Sequence, residues 1–181
     1  YLTLATDRGL LVSVASSSPS GAQVAPFGGR AGVFTPDPVA WGIPTDGNPI
    51  LIDISASITT VNMAQRLIRE GRSYDHDWLL DRDGAPSRDP RVLEAGGTLL
   101  PTGGLDHGQK GYGMALAAEA LTQGLAGYGR ADAPQGTNAA VTVQVWDPDA
   151  FGGRAAFLRQ TSWLVDACRA SPPQPGGAAV R

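Results

Sequence analysis

The chain has 181 residues, a formal net charge of −3, 42% hydrophobic and 17% charged residues, with 24 Gly and 14 Pro. That length suits one domain or one and part of another, and the apolar share is enough for a packed core. The acidic balance argues against nucleic acid, which wants a clustered basic surface. No stretch approaches the ~18 apolar residues of a helical membrane span. A single cysteine, Cys168, excludes an internal disulfide framework, and two histidines, His76 and His107, leave no multi-histidine metal centre. All the basic residues are Arg except Lys110. Arg and Lys are not interchangeable at a tight site, so a lone ammonium inside a motif points to a need for it there. The chain opens on Tyr1 directly in structured-looking sequence, which reads as an incomplete chain whose N-terminus lies elsewhere.

In chain order, residues 10–15 (LLVSVA) predict a short strand, followed by the polar turn of residues 16–21 (SSSPSG). Residues 26–49 are dense in Gly and Pro and read as a long loop with at most short edge strands. ILIDI, residues 50–54, is the pattern of a strand buried on both faces. Residues 55–71 read as a helix with Val61, Ala64, Leu67 and Ile68 inward, Ser55 or Ser57 capping its start and Gly71 its end. Asp83-Gly84 marks a tight turn, and residues 87–90 (SRDP) start a helical turn. The glycine-rich segment 101–113 (PTGGLDHGQKGYG) leads into a second helix whose stripe is Met114, Ala117, Ala118, Leu121 and Leu125. Residues 141–146 form a strand with Val141, Val143 and Val145 on one face. Residues 157–169 form a third helix with Leu158, Thr161, Val165 and Cys168 on one side, and residues 172–181 a surface tail. This mix of strands and amphipathic helices predicts an α/β fold with a mixed sheet and flanking helices.

Two familiar motifs fail on spacing around Lys110. A phosphate-binding loop needs G-x-x-x-x-G-K followed by a hydroxyl residue, and here Gln109 precedes Lys110 and Gly111 follows it. A Rossmann fingerprint fails because Leu116 stands where its last glycine belongs. What survives is a glycine-rich entry, a helix start and an ammonium, which suit an anionic ligand; an exposed lysine at a plain helix entry is the competing reading. Asp53 is costly inside an apolar strand unless it is paired or faces a cleft at the strand end, although capping the next helix would explain it as well. His107 next to Asp106 reads as a solvated turn residue or a general acid–base, His76 as surface, and Cys168 as core. No Ser-His-Asp set assembles.

Several segments in order resemble the malate/L-lactate dehydrogenase family, a non-Rossmann group of NAD(P)-dependent 2-hydroxyacid oxidoreductases. They are VAPFGGR (24–30), PDPVAWGIP (36–44), LIDISAS (51–57), WLLDRDGAPSRDP (78–90), LLPTGG with QKGYGMAL (99–116) and DPDAFGG (147–153). The resemblance implies the family's own dinucleotide-binding α/β fold, NAD or NADP as cofactor, and a small 2-oxo or 2-hydroxy acid as substrate. It further implies a cytoplasmic homodimer with no nucleic-acid or membrane partner. Carried over residue by residue, the cofactor positions fall on Ser20, or on Ser18 if residues 21–23 hold an insertion, on the strand-end tripeptide Asp53, Ile54 and Ser55, and on Lys110. The family's proton-transferring histidine belongs before Tyr1, so no catalytic residue is assigned within the chain, which alone is expected to bind cofactor weakly and turn nothing over. Residues 1–130 are then the cofactor-binding portion and residues 131–181 a strand–helix segment with a surface tail. The chain departs from the family at Asp37 (TPDP for G-T-N-P), at Asn62-Met63 (for Gly-Lys) and at Gln109 (for His). These departures raise two alternatives: a catalytically inactive remnant and a reductase of cyclic imino acids. An acyl or phosphoryl transferase built on Lys110 is the more distant reading.

Overall fold

The computed structural model describes residues 1–180, and by its internal contacts the chain forms two compact units. One comprises Tyr1–Val14, Ala40–Asp53 and Val143–Arg181; the other comprises Ala15–Val39 and Ile54–Thr142.

The first unit is built on a four-stranded sheet of order β3-β2-β1-β7, where β1 is Leu11–Ser17, β2 Val39–Ile43, β3 Ile50–Ile54 and β7 Ala140–Trp146. A short helix α1, Thr3–Thr6, places Leu2 against Val12 and Ala40 in a small core. β2 corrects the expectation of an open loop over residues 26–49, because it lies inside the sheet between β1 and β3. Its glycine hid it: at Gly42 a Cβ would lie 2.8 Å from Val12, 2.9 Å from Thr6 and 3.1 Å from Leu2, so close packing demands the residue that reads as a loop former. β3 is an edge strand with Leu51, Asp53 and Ile54 exposed, which overturns its expected burial on both faces. On β7 the valine face, Val141, Val143 and Val145, is the exposed one. Trp41 and Trp146 stack with ring centres 6.0 Å apart over an apolar cavity of about 490 Å³ that Phe151 and Phe157 also line.

Helix α5, Arg154–Arg169, is tied to the turn after β2 by Thr161 Oγ1, which donates to Pro44 O (2.7 Å), and by Ser162 Oγ, which accepts from Asp46 N (2.8 Å). Cys168 is exposed rather than core, because it falls in the last turn of α5, past the residues of that side that are partly buried. Residues 172–180 of the tail are exposed, and Arg181 lies outside the described residues.

The second unit carries the larger core: Val24, Phe34, Ala56, Ala64, Leu67, Tyr74, Leu79, Leu99 and Ala115. A small antiparallel sheet of order β5-β4-β6 (Pro86–Ser87, Leu79–Leu80, Thr98–Leu99) supports it. The β4–β5 turn is held by Asp81, whose carboxylate accepts from Asp83 N and Ala85 N, with Gly84 at φ 92°. The helical turn expected from residues 87–90 is a 3₁₀ turn over Pro90–Ala95, and Asp89 caps it. Helix α2 is Val61–Glu70, starting later than the spacing suggested: Thr60 caps it by accepting from Met63 N (3.2 Å), and Ser55 and Ser57 instead hydrogen-bond within their own turn. Gly71 closes it in the left-handed conformation, φ 66°. After α3, Gly104–His107, helix α4 runs Gln109–Glu119 and continues as a π-helical turn over Ala120–Gly124. The segment around Lys110 is therefore helical, not a flexible loop, because Gly108 and Gly111 pack too closely on neighbouring atoms to swing free. The buried stripe shifts to Gly111, Ala115, Ala118, Thr122 and Gln123, leaving Leu125 exposed. Among the described residues no helix is long and apolar enough to cross a membrane, and no cluster of metal-ligating side chains occurs.

Thr60→Ala should lower the free energy of unfolding by about 1 kcal/mol through loss of the α2 cap. Denaturant titration of the purified chain checks this, and an unchanged midpoint would show that the cap carries no weight.

Candidate functional site

Ser18 and Ser20 line one cavity of the second unit, about 730 Å³ in volume. Its wall is Ser16, Ser17, Thr35 and Pro36, and Thr60, Val61 and Asn62 bring the start of α2 to it. A helix start offers free N–H groups and the positive end of its dipole, and hydroxyls offer donors, so the lining suits a polar, anionic ligand. The volume is in the range of small-molecule and cofactor sites. Ser20 Oγ donates to Gly136 O (2.8 Å), and Ser20 N to Asn138 Oδ1 (3.2 Å), so this serine anchors the residue 136–138 loop at the rim. Ser18 N donates to Thr35 Oγ1 (3.2 Å).

Ser55 and Lys110 come together through the backbone. Ala56 N donates to Pro36 O (2.7 Å), on the wall of the serine cavity, and Ala56 O accepts from Thr102 N (2.7 Å). Thr102 O in turn accepts from Gly111 N (3.0 Å), and Thr102 Oγ1 donates to Ser55 O (3.1 Å). Lys110, exposed in the first turn of α4, thus sits beside the Ser55 segment because Gly111 allows contact: a Cβ there would lie 2.3 Å from both Ala56 O and Thr102 N. Ile54 is exposed at the strand end. Asp53 belongs to the first unit, where its carboxylate accepts from the Tyr1 hydroxyl (3.1 Å). That bond, not a helix cap, gives the carboxylate its partner. His76 and His107 are exposed, His107 on α3 rather than in a turn.

Beneath the serine cavity lies a polar cluster of which the sequence singled out Asp37 alone. Asp37 is fully buried with φ 44°, a left-handed conformation that Asp tolerates better than most residues. Its Oδ1 accepts from Thr35 Oγ1 (2.6 Å), and its Oδ2 has no donor. Glu119 of α4 faces it and accepts from Arg130 Nε (2.9 Å) and Nη2 (2.5 Å). Burial raises the Asp37 carboxyl to about 7, with the Thr35 bond opposing and the Glu119 charge adding to the rise. Deeper still, Ser17 Oγ meets Thr122 Oγ1 (2.7 Å) and accepts from Gln123 Nε2 (2.9 Å), and Gln123 Oε1 accepts from Arg130 N (2.8 Å). Thr122 and Gln123 belong to the π-helical turn after α4, a feature frequent at functional sites. In the letters Asp37 stood out as a departure from the family pattern, locked between two prolines, while Glu119 and Arg130 carried no signal.

A family model described as malate/L-lactate dehydrogenase matches residues 1–181. The chain belongs to the malate/L-lactate dehydrogenase family. It is 27% identical to a malate dehydrogenase of Pyrococcus horikoshii over 184 residues, covering 97% of this chain and 50% of that protein. It is 38% identical over 105 residues to a Δ1-pyrroline-2-carboxylate/Δ1-piperideine-2-carboxylate reductase of Pseudomonas syringae pv. tomato, covering 58% of this chain and 29% of the reductase. The crystal structure of a dehydrogenase from Sinorhizobium meliloti superposes with a TM-score of 0.82 at 31% identity, covering 100% of this chain and 52% of that one. The mixed α/β architecture is thus the family's. The chain spans about half the length of the curated relatives it matches over most of its length.

Gly111→Ala and Gly113→Ala should act with opposite sign. The first forces a methyl into Ala56 O and Thr102 N and should destabilise by roughly 1–3 kcal/mol. The second meets nothing within 4 Å on an exposed helix face and should stabilise by about 0.5–1 kcal/mol. Thermal unfolding of both variants reads this directly, and equal shifts would remove the packing argument for the Lys110 helix.

Proposed function

We propose that the chain is part of a nicotinamide-dependent oxidoreductase that interconverts a 2-hydroxy acid and its 2-oxo acid. Membership of the family over residues 1–181 carries this reading. Residues 1–130 act as the cofactor-binding portion and residues 131–181 as the strand–helix segment that completes it. The cofactor is NAD or NADP, and it supplies the hydride.

The chain's own residues fit such a ligand. Hydroxyls of the serine turn and the start of α2 meet at the cavity, and the Pro36–Ala56–Thr102–Gly111 backbone chain runs from its wall to the helix of Lys110. Ser18 or Ser20 donates to the dinucleotide, the Asp53–Ser55 strand end takes up its hydroxyls, and Lys110 neutralises an anionic group. An ammonium on an exposed, anchored helix turn does this without moving the backbone. The acid–base group for substrate lies outside these residues. The complete enzyme acts on a small acid as a cytoplasmic homodimer.

The similarity to the imino acid reductase of Pseudomonas syringae favours a second reading, reduction of a cyclic imino acid, with the same cofactor and the same binding residues.

The complete enzyme, mixed with NADH or NADPH and a panel of 2-oxo acids and cyclic imino acids, should consume reduced nicotinamide with one of them, followed by absorbance. Lys110→Ala should raise the dinucleotide dissociation constant about tenfold, the worth of one charge-assisted contact. Silence across the panel would leave the inactive remnant as the reading, and an unchanged dissociation constant would remove Lys110 from the site.

A further inference from the structure

We infer that Asp37 and Glu119 share one proton and, through Thr35 and Arg130, position the serine turn, so that Arg130 and Asp37 are positioning residues for the ligand that Ser18 and Ser20 face. This rests on the reading of the serine cavity given above and adds to it what fixes the turn in place.

The geometry requires the proton. Asp37 is fully buried, and its Oδ2 finds no donor among the described residues. The carboxyl group that acts on Asp37 is that of Glu119, and a carboxylate accepts without donating. Two acceptors facing each other out of water repel, unless one carries a hydrogen. Arg130 settles which: its guanidinium gives two N–H groups to Glu119 Oε1, whereas Asp37 Oδ2 receives none, so the hydrogen sits on Asp37. The charged groups around Asp37 are therefore Glu119 from α4 and Arg130 from the 3₁₀ turn Arg130–Asp132. Asp132, in that same turn, accepts instead from Gly129 N (2.7 Å), and Thr35 on the neighbouring strand of chain is neutral.

Both ends of the serine turn hang on this cluster. Thr35 Oγ1 donates to Asp37 Oδ1 and accepts from Ser18 N, which fixes the turn's entry. Arg130 Nη1 donates to Gly21 O and reaches Pro19 O (3.5 Å), which fixes its exit. Loss of the shared proton puts two negative charges against each other under the turn and draws the single guanidinium between them, and the grip on residues 19–21 loosens. Because the folded carboxyl holds its proton far more tightly than an unfolded aspartate, the stabilisation is complete at acid pH and is lost as pH rises from about 4 through about 7. Asp37→Asn puts an amide where the proton was: Oδ1 still accepts from Thr35 and Nδ2 donates to Glu119 at every pH.

Amide hydrogen exchange of Ser18, Ser20 and Gly21, corrected for the intrinsic pH dependence of exchange, tests this on the chain itself. In the wild-type chain the opening constant of these amides should rise roughly tenfold per pH unit between pH 5 and 7, and in Asp37→Asn it should stay flat. Arg130→Gln should open the same amides at pH 5 already. Equal pH slopes in wild type and Asp37→Asn overturn the shared proton, and unchanged protection in Arg130→Gln overturns its hold on the turn. NADH titration of the same proteins at pH 5 and 7 is the second reading: weakening with pH in wild type but not in Asp37→Asn is expected. If no dinucleotide binds at either pH, the proposed function fails while the exchange data still decide this inference. If binding is pH-independent in both, the link from the cluster to the ligand fails and the function stands.

Discussion

The backbone of Ala56 is the joint on which the second unit's candidate site depends. Its N–H reaches Pro36 on the cavity wall and its carbonyl reaches Thr102, so one residue with no functional group sets the spacing between the serine turn and the helix of Lys110. Ala56 is fully buried in the main core, so the joint is embedded in the same packing that stabilises the unit. Anything bulkier than glycine at position 111 would wedge the joint apart. A site built this way inherits the rigidity of the core, which suits a ligand whose reacting end must be held at fixed geometry.

Around that joint the polar groups are arranged in depth. Exposed donors line the cavity, Thr35 and Arg130 stand behind them, and the Asp37–Glu119 pair with the Ser17–Thr122–Gln123 network lies at the base. Burying so many polar atoms is costly unless each finds a partner, and nearly every one does. The uncompensated oxygen of Asp37 stands out for that reason. An amide at this position would always donate, whereas the aspartate donates only when protonated.

Much of this was legible in the letters. Strand and helix periodicity located β1, β3, α2, β7 and α5, and the ordered motifs pointed to the family before any geometry was known. Spacing misled where a glycine serves contact rather than flexibility. Gly42 made an interior strand look like loop, and Gly108 and Gly111 made a tightly packed helix start look like a glycine-rich lead-in to one. The apolar ILIDI run suggested double burial, whereas its edge position decides exposure, and that depends on which strands pair, which no local pattern encodes. The Asp37 cluster was invisible for the same reason: residues 37, 119 and 130 meet only because α4 and the turn after it fold back under the serine turn.

The scarcity of lysine gives the chain a practical property. Amine-directed reagents, whether fluorophores, cross-linkers or enzymatic acylation, find one side-chain target in the whole sequence, and it stands exposed on the first turn of α4. A covalent tag placed there reports from the start of α4 with no engineering of competing positions, and any natural acylation of this chain at a lysine would cancel the charge at that one spot.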